Sequence, residues 1–165
     1  MASFAEHIEH AKKNIRLLNL VNNSHNSFWD WQTTVSYYIS VHLVNAHLAQ
    51  CADLHYRSHE DVRHAINPFN SLATCKLPET AYLAYMNLQL LSRRSRYLVS
   101  DKTENMTTEA CFTSDKHFAK AVRHLDTLMS FMKSKYPDIE FEINTIDCDR
   151  IKGDSLSYYK HNKAA

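Results

Sequence analysis

FWDWQTTVSYYISVHLVNAHLAQCA, residues 28–52, contains neither Gly nor Pro. Within it Trp31, Val35, Tyr38, His42, Asn45 and Ala49 recur at steps of three and four, and Tyr37, Val41, Val44 and Leu48 form a second stripe beside the first. Both stripes follow the period of an α-helix and none of the alternation of a strand. The spacing predicts one long helix over 28–52 whose apolar surface suits the centre of a bundle or a subunit interface. His42 and Asn45 stand out as polar members of that side.

The rest of the chain fits a helical reading. One Gly and three Pro in 165 residues, against usual frequencies of roughly 7% and 5%, leave few devices for tight hairpins. The length suits one domain that buries its own core, and the class read from composition is all-α. Nineteen Lys and Arg against eighteen Asp and Glu give a net charge of +1. No global field therefore draws the molecule to nucleic acid or anionic lipid, and such binding must come from a local patch. Cys51, Cys75, Cys111 and Cys148 are scattered, with no C-x-x-C pair and no close His/Cys set of zinc spacing, which predicts free thiols in a reducing cytosol. MASFAEHIEHAKKNIRLL has charges throughout and lacks the apolar core of a signal peptide; no stretch reads as a membrane span. The expected location is cytoplasmic, away from membranes.

Outward from the central helix, Phe4, Ile8, Ala11, Ile15 and Leu18 place helix 1 at about 4–21, with Ser3 and Glu6 as a capping box and the polar run NNSHNS as its end. Ser58 and Asp61 mark the start of helix 3, whose apolar side is Val62, Ala65, Ile66 and Phe69 and whose end is set by Pro68. Helix 4 is predicted from Pro78 to about Val99. Helix 5 follows the loop SDKTENMTTE and carries Phe118, Ala121, Val122, Leu125, Leu128, Met129 and Met132 up to Pro137. The bundle thus occupies residues 1–136 and an extended arm 137–165. In the arm Ile139, Phe141 and Ile143 alternate with polar residues as in a strand; without a partner in an all-helical domain it is expected to lie extended or to pair with the same arm of another chain, and GDSLSYYKHNKAA reads as a frayed terminus.

Several landmarks occur in order: Tyr38, His42 and Ala46 in SYYISVHLVNAHLA, then RSHEDVRHAI opening a helix, SRRSRYLV closing one, and TTEA before the last long helix. Over roughly residues 5–133 this order resembles the HEPN superfamily of small helical bundles. The resemblance implies an up-and-down bundle of four to five helices, usually a homodimer, in toxin–antitoxin or phage-defence systems and often beside a nucleotidyltransferase-like partner. Many members are metal-independent endoribonucleases with a closely spaced Arg and His on a late helix; others bind RNA or nucleotides, or serve as dimerisation scaffolds. This chain departs from the catalytic pattern. Its one formal match, Arg57 to His64, comes early, and Arg57 precedes the Ser58 cap, so the two do not stack on one helix.

Metal-independent RNA cleavage needs an acid or base near neutral pH and a cation for the phosphorane. His59 and Arg63, four apart, share a helical face and could supply both, with His42 joining if helix 3 brings them beside it. The competing reading pairs Arg63 with acidic neighbours on a solvated face and leaves His42 a core or interface histidine satisfied by Asn45 or a tyrosine hydroxyl. Arg93, Arg94 and Arg96 in RRSR, with Arg57, are the candidate phosphate contacts; the alternative is that they complement the end of the helix dipole. The face shared with Tyr85, Gln89 and Ser92 predicts Arg96 exposed, and that shared with Met86 and Leu90 predicts Tyr97 packed. No Glu-x-x-His set recurs, Glu6 with His7 and His10 being one isolated cluster, so neither a metal nor a cofactor is expected. The function expected is an RNA- or nucleotide-associated module, with an endoribonuclease and a non-catalytic scaffold as alternatives.

Overall fold

The computed structural model describes residues 2–24, 27–56, 58–99 and 110–162. Five helices account for most of it: α1 (Phe4–Ser24), α2 (Trp29–Ala52), α3 (His59–Ile66), α4 (Glu79–Tyr97) and α5 (Asp115–Lys135). A short C-terminal unit follows, made of β1 (Asn144–Ile146), a 3-10 turn (Asp149–Ile151) and β2 (Tyr159–His161). The protein is an all-α bundle with a C-terminal arm. Arg57, and Thr107 to Glu109 of the TTEA landmark, lie outside the described residues.

Helix α2 is the central rod, packed by α1, α4 and α5. Its polar side chains are buried with the apolar ones: Gln32, Thr33 and Ser36 are fully enclosed along with Tyr37, Ile39 and Leu43. Short hydroxyls tolerate this by bonding the preceding turn, as Ser36 Oγ does to the Gln32 carbonyl at 2.8 Å. The outer end of its first stripe is open, with Trp31 62% and Tyr38 41% exposed.

The capping box of α1 forms: Ser3 N donates to Glu6 Oε2 at 2.7 Å, and Glu6 N donates to Ser3 Oγ at 3.3 Å. The helix continues three residues beyond the expected 21 because its polar end has structural partners. Asn22 is buried; its Nδ2 donates to Gln32 Oε1 at 2.9 Å, and its Oδ1 accepts from Asp147 N at 2.7 Å. Helix α3 stops at Ile66 since Asn67, before Pro68, is extended. The chain then folds back so that Cys75 N and Leu77 N donate to the Ala65 and Ile66 carbonyls at 2.9 and 3.0 Å, satisfying acceptors that a helix end leaves open.

The arm departs from expectation in three ways. The strand is at 144–146 rather than 139–143, because burial alternates through Asn144, Thr145 and Ile146, whereas Ile143 is 63% exposed. It has a partner in its own chain, pairing in parallel with β2 so that Asn144 faces Tyr159 and Ile146 faces His161. The terminal segment, far from frayed, is anchored through residue 162. Buried Asp126 of α5 accepts from Ser157 N at 3.0 Å and Tyr158 N at 2.7 Å, Arg123 pairs with Asp154 at 2.7 Å, and Tyr159 is enclosed. Gly153, the chain's one glycine, turns this segment with φ +87°, a conformation that disfavours a Cβ. No helix among the described residues is long and apolar enough to cross a membrane.

A candidate Arg/His site over a buried tyrosine pair

The stretch SHED does act as a helix start: the Ser58 hydroxyl accepts from Glu60 N at 3.1 Å and Asp61 N at 3.2 Å. This cap sets where His59 points. Its Nδ1 lies 3.0 Å from the hydroxyl of Tyr37, a residue with no exposed surface on the inner stripe of α2. Behind Tyr37 stands Tyr85 of α4, also fully buried, with ring centroids 5.9 Å apart.

Arg96, about three turns along α4 from Tyr85, completes the group. It is exposed, its Nε donates to the Ser92 carbonyl at 3.3 Å, and its guanidinium covers the Tyr97 ring at 5.1 Å. It is near enough that its charge acts on both His59 and Tyr37. Burial of the ring, with the Arg96 charge second, holds the His59 pKa below its ordinary value. Burial pushes the Tyr37 phenol up, against the opposing influence of Tyr85, Gln89 and Arg96. At neutral pH the site therefore presents a neutral imidazole, a protonated phenol and a fixed cation. With Nδ1 engaged by Tyr37, the nitrogen across the His59 ring is the one left for a ligand.

The remaining candidates are distributed differently. Arg63 turns to Glu60, 3.8 Å away, and His64 shares that carboxylate at 3.8 Å, which is the solvated-face arrangement. Arg94 is tied to the Phe112 carbonyl by Nε at 3.2 Å and Nη2 at 2.9 Å, so RRSR is divided: Arg93 and Arg96 are exposed, and Arg94 braces the segment entering α5. Tyr97, expected to pack, is 64% exposed. The helix ends there through left-handed Leu98, and the Arg96 guanidinium lies over the Tyr97 ring.

His42 is not part of this group. Five residues after Tyr37, it points about 140° away around α2, and its recorded neighbours are other histidines. His7 Nδ1 lies 3.4 Å from His42 Nδ1, His7 Nε2 lies 3.1 Å from His55 Nδ1, and the His10 ring stacks on His42 at 4.9 Å. Burial, then the charges of His10, His7 and His55, depress the His42 pKa to about 4; burial first and His55 second lower that of His7. Asn45, the expected partner of His42, instead donates to the Val41 carbonyl at 2.9 Å.

The sequence offered His59 with Arg63, or Arg63 with an acidic neighbour, and the second is the arrangement present; Tyr37 as the partner of His59 was not read from it. The signal was present in part: Tyr37 lies on the inner stripe of α2, and Arg96 shares a face with Tyr85. No family model, curated protein or solved structure matches the chain.

Proposed function

We propose that the protein is an RNA- or nucleotide-associating bundle of HEPN type that takes phosphate on Arg96 and Arg93 beside His59. The observation supporting this reading is that His59 of α3 bonds Tyr37 of the buried Tyr37–Tyr85 pair, near enough to Arg96 of α4 for the guanidinium charge to act on the imidazole. A phosphate there gains a fixed cation from Arg96 and a hydrogen-bonding imidazole held in orientation by Tyr37. The exposed Tyr97 ring adds a surface on which a base can stack.

Association is preferred to cleavage because cleavage needs an acid and a base. Of His59, Tyr37 and Arg63, His59 alone is of a type that titrates near neutral pH, since the Tyr37 phenol is pushed upward by burial and Arg63 is engaged with Glu60. A cytoplasmic homodimer, a defence or toxin–antitoxin setting and a nucleotidyltransferase-like partner belong to the same proposal. Exposed Phe28 at the N-cap of α2, with Trp31 and Tyr38 on the helix, supports the dimer.

The test is binding of single-stranded RNA and of mononucleotides across a salt series. Two arginine–phosphate contacts give a slope of log K against log salt of about −1.4. The double change Arg93→Gln, Arg96→Gln is expected to lower affinity at least tenfold and flatten the slope. No affinity at any salt, or unchanged affinity in the double variant, rejects the site. RNA incubated with EDTA should remain intact; cleavage abolished by His59→Ala would instead establish the nuclease reading, and a stable dimer without nucleic-acid affinity the scaffold reading.

A further inference from the structure

Four histidines meet at one end of the bundle, on the side of α2 turned away from Tyr37. His7 and His10 come from α1, His42 from α2 and His55 from the connection between α2 and α3. Together with Ala2, Ala5, Glu6, Glu9 and Lys13 they line an open cleft of about 530 Å³. Imidazoles in mutual contact usually have a carboxylate to share their protons, but here the carboxylates are drawn elsewhere. Glu6 is held by Ser3 N and Oγ at 2.7 and 2.8 Å, and Glu9 pairs with Lys12 at 3.6 Å.

We infer that His7 and His42 form a two-histidine chelate for a divalent transition-metal ion of the zinc or nickel type at the floor of this cleft. The first argument is distance. Two imidazole nitrogens about 2.0–2.1 Å from a tetrahedral ion stand roughly 3.3–3.4 Å apart, and the two Nδ1 atoms are separated by 3.4 Å. The second is the surrounding shell. A metal-bound histidine ordinarily donates its other ring N–H to an acceptor that fixes its tautomer, and His7 Nε2 has that acceptor in His55 Nδ1 at 3.1 Å. His7 is thus able to carry its proton on Nε2 and offer a bare Nδ1 to the ion.

Among the described residues no group of three or more His, Cys, Asp or Glu side chains is arranged to hold an ion. The chelate is accordingly bidentate, with its other positions taken by water. Exposed His10, one turn from His7 and stacked on His42, is the side chain placed to replace one of those waters by a change of rotamer. This site is separate from Arg96 and His59 and does not depend on their role.

The experiment is calorimetric titration of tag-free, metal-stripped, reduced protein with Zn2+ and with Ni2+ at neutral pH. One ion per chain is expected, with at least a tenfold loss of affinity in His42→Ala. His55→Ala, which removes only the tautomer-setting acceptor, is expected to weaken binding roughly tenfold or more while leaving the stoichiometry at one. His7 is 5% exposed, so His7→Ala can fail to fold, and half-buried His42 and exposed His55 carry the test after circular dichroism shows both variants helical. Absence of saturable binding by the unaltered protein overturns the site. So does full-strength binding by His42→Ala.

Discussion

The hydroxyl of Tyr37 constrains which nitrogen His59 shows to solvent. Its hydrogen bond to Nδ1 at 3.0 Å ties the imidazole to the interior of α2. Tyr37→Phe keeps the aromatic packing against Tyr85 and removes that tie. The expected result is a loss of about 1 kcal/mol in urea unfolding, together with weaker RNA or nucleotide affinity, since the imidazole is no longer held in position. Unchanged affinity in a stably folded Tyr37→Phe would separate Tyr37 from the binding site. This residue-level pairing was the least legible part of the sequence. That His59 and Arg63 share a helical face, and that Glu60 stands one turn before Arg63, spacing shows; that Arg96 approaches from another helix depends on tertiary packing, to which spacing along one helix is blind.

At the scale of elements, the helices and their caps were legible because each is a local matter. Ser3 with Glu6 and Ser58 with Asp61 are short-range pairs, and the stripe of α5 from Phe118 to Met132 is buried as its period indicates. The arm was misread because its order comes from partners distant in sequence. Asn22 reaches Asp147, and Asp126 reaches Ser157 and Tyr158, none of which a local pattern reveals. Asp126 also acts in place of a strand neighbour, accepting two backbone N–H groups just before β2. Asp126→Ala leaves both donors without an acceptor, at an expected cost of about 2 kcal/mol. In hydrogen exchange the amides of Ser157 and Tyr158, and those bonded between β1 and β2, should lose protection ahead of the amides of α2. Retained protection of the arm in this variant would show that Tyr159 burial alone anchors it.

At the scale of the whole molecule, the histidine excess shapes the response to acid. Of the eleven histidines, His7, His42, His47, His59 and His124 all have pKa values lowered first by burial. Each of these prefers its proton in the unfolded chain, where the imidazole pKa is about 6.5. The sign follows from linkage: their contribution to stability is complete above that value and is lost as pH falls toward the folded-state pKa. For His42 the window runs from about 6.5 down to about 4. Its share is on the order of 1–2 kcal/mol after allowance for solvent screening at its half-exposed edge. The acid limb of the stability curve should therefore begin near pH 6.5, above the range where carboxylates titrate. In His42→Gln, which retains a polar side chain of similar reach without a titrating group, the fall between pH 6.5 and 4 should be shallower than in the unaltered protein. Parallel curves for the two proteins would mean that His42 is accommodated as readily charged as neutral, and would assign the acid sensitivity to the other buried imidazoles.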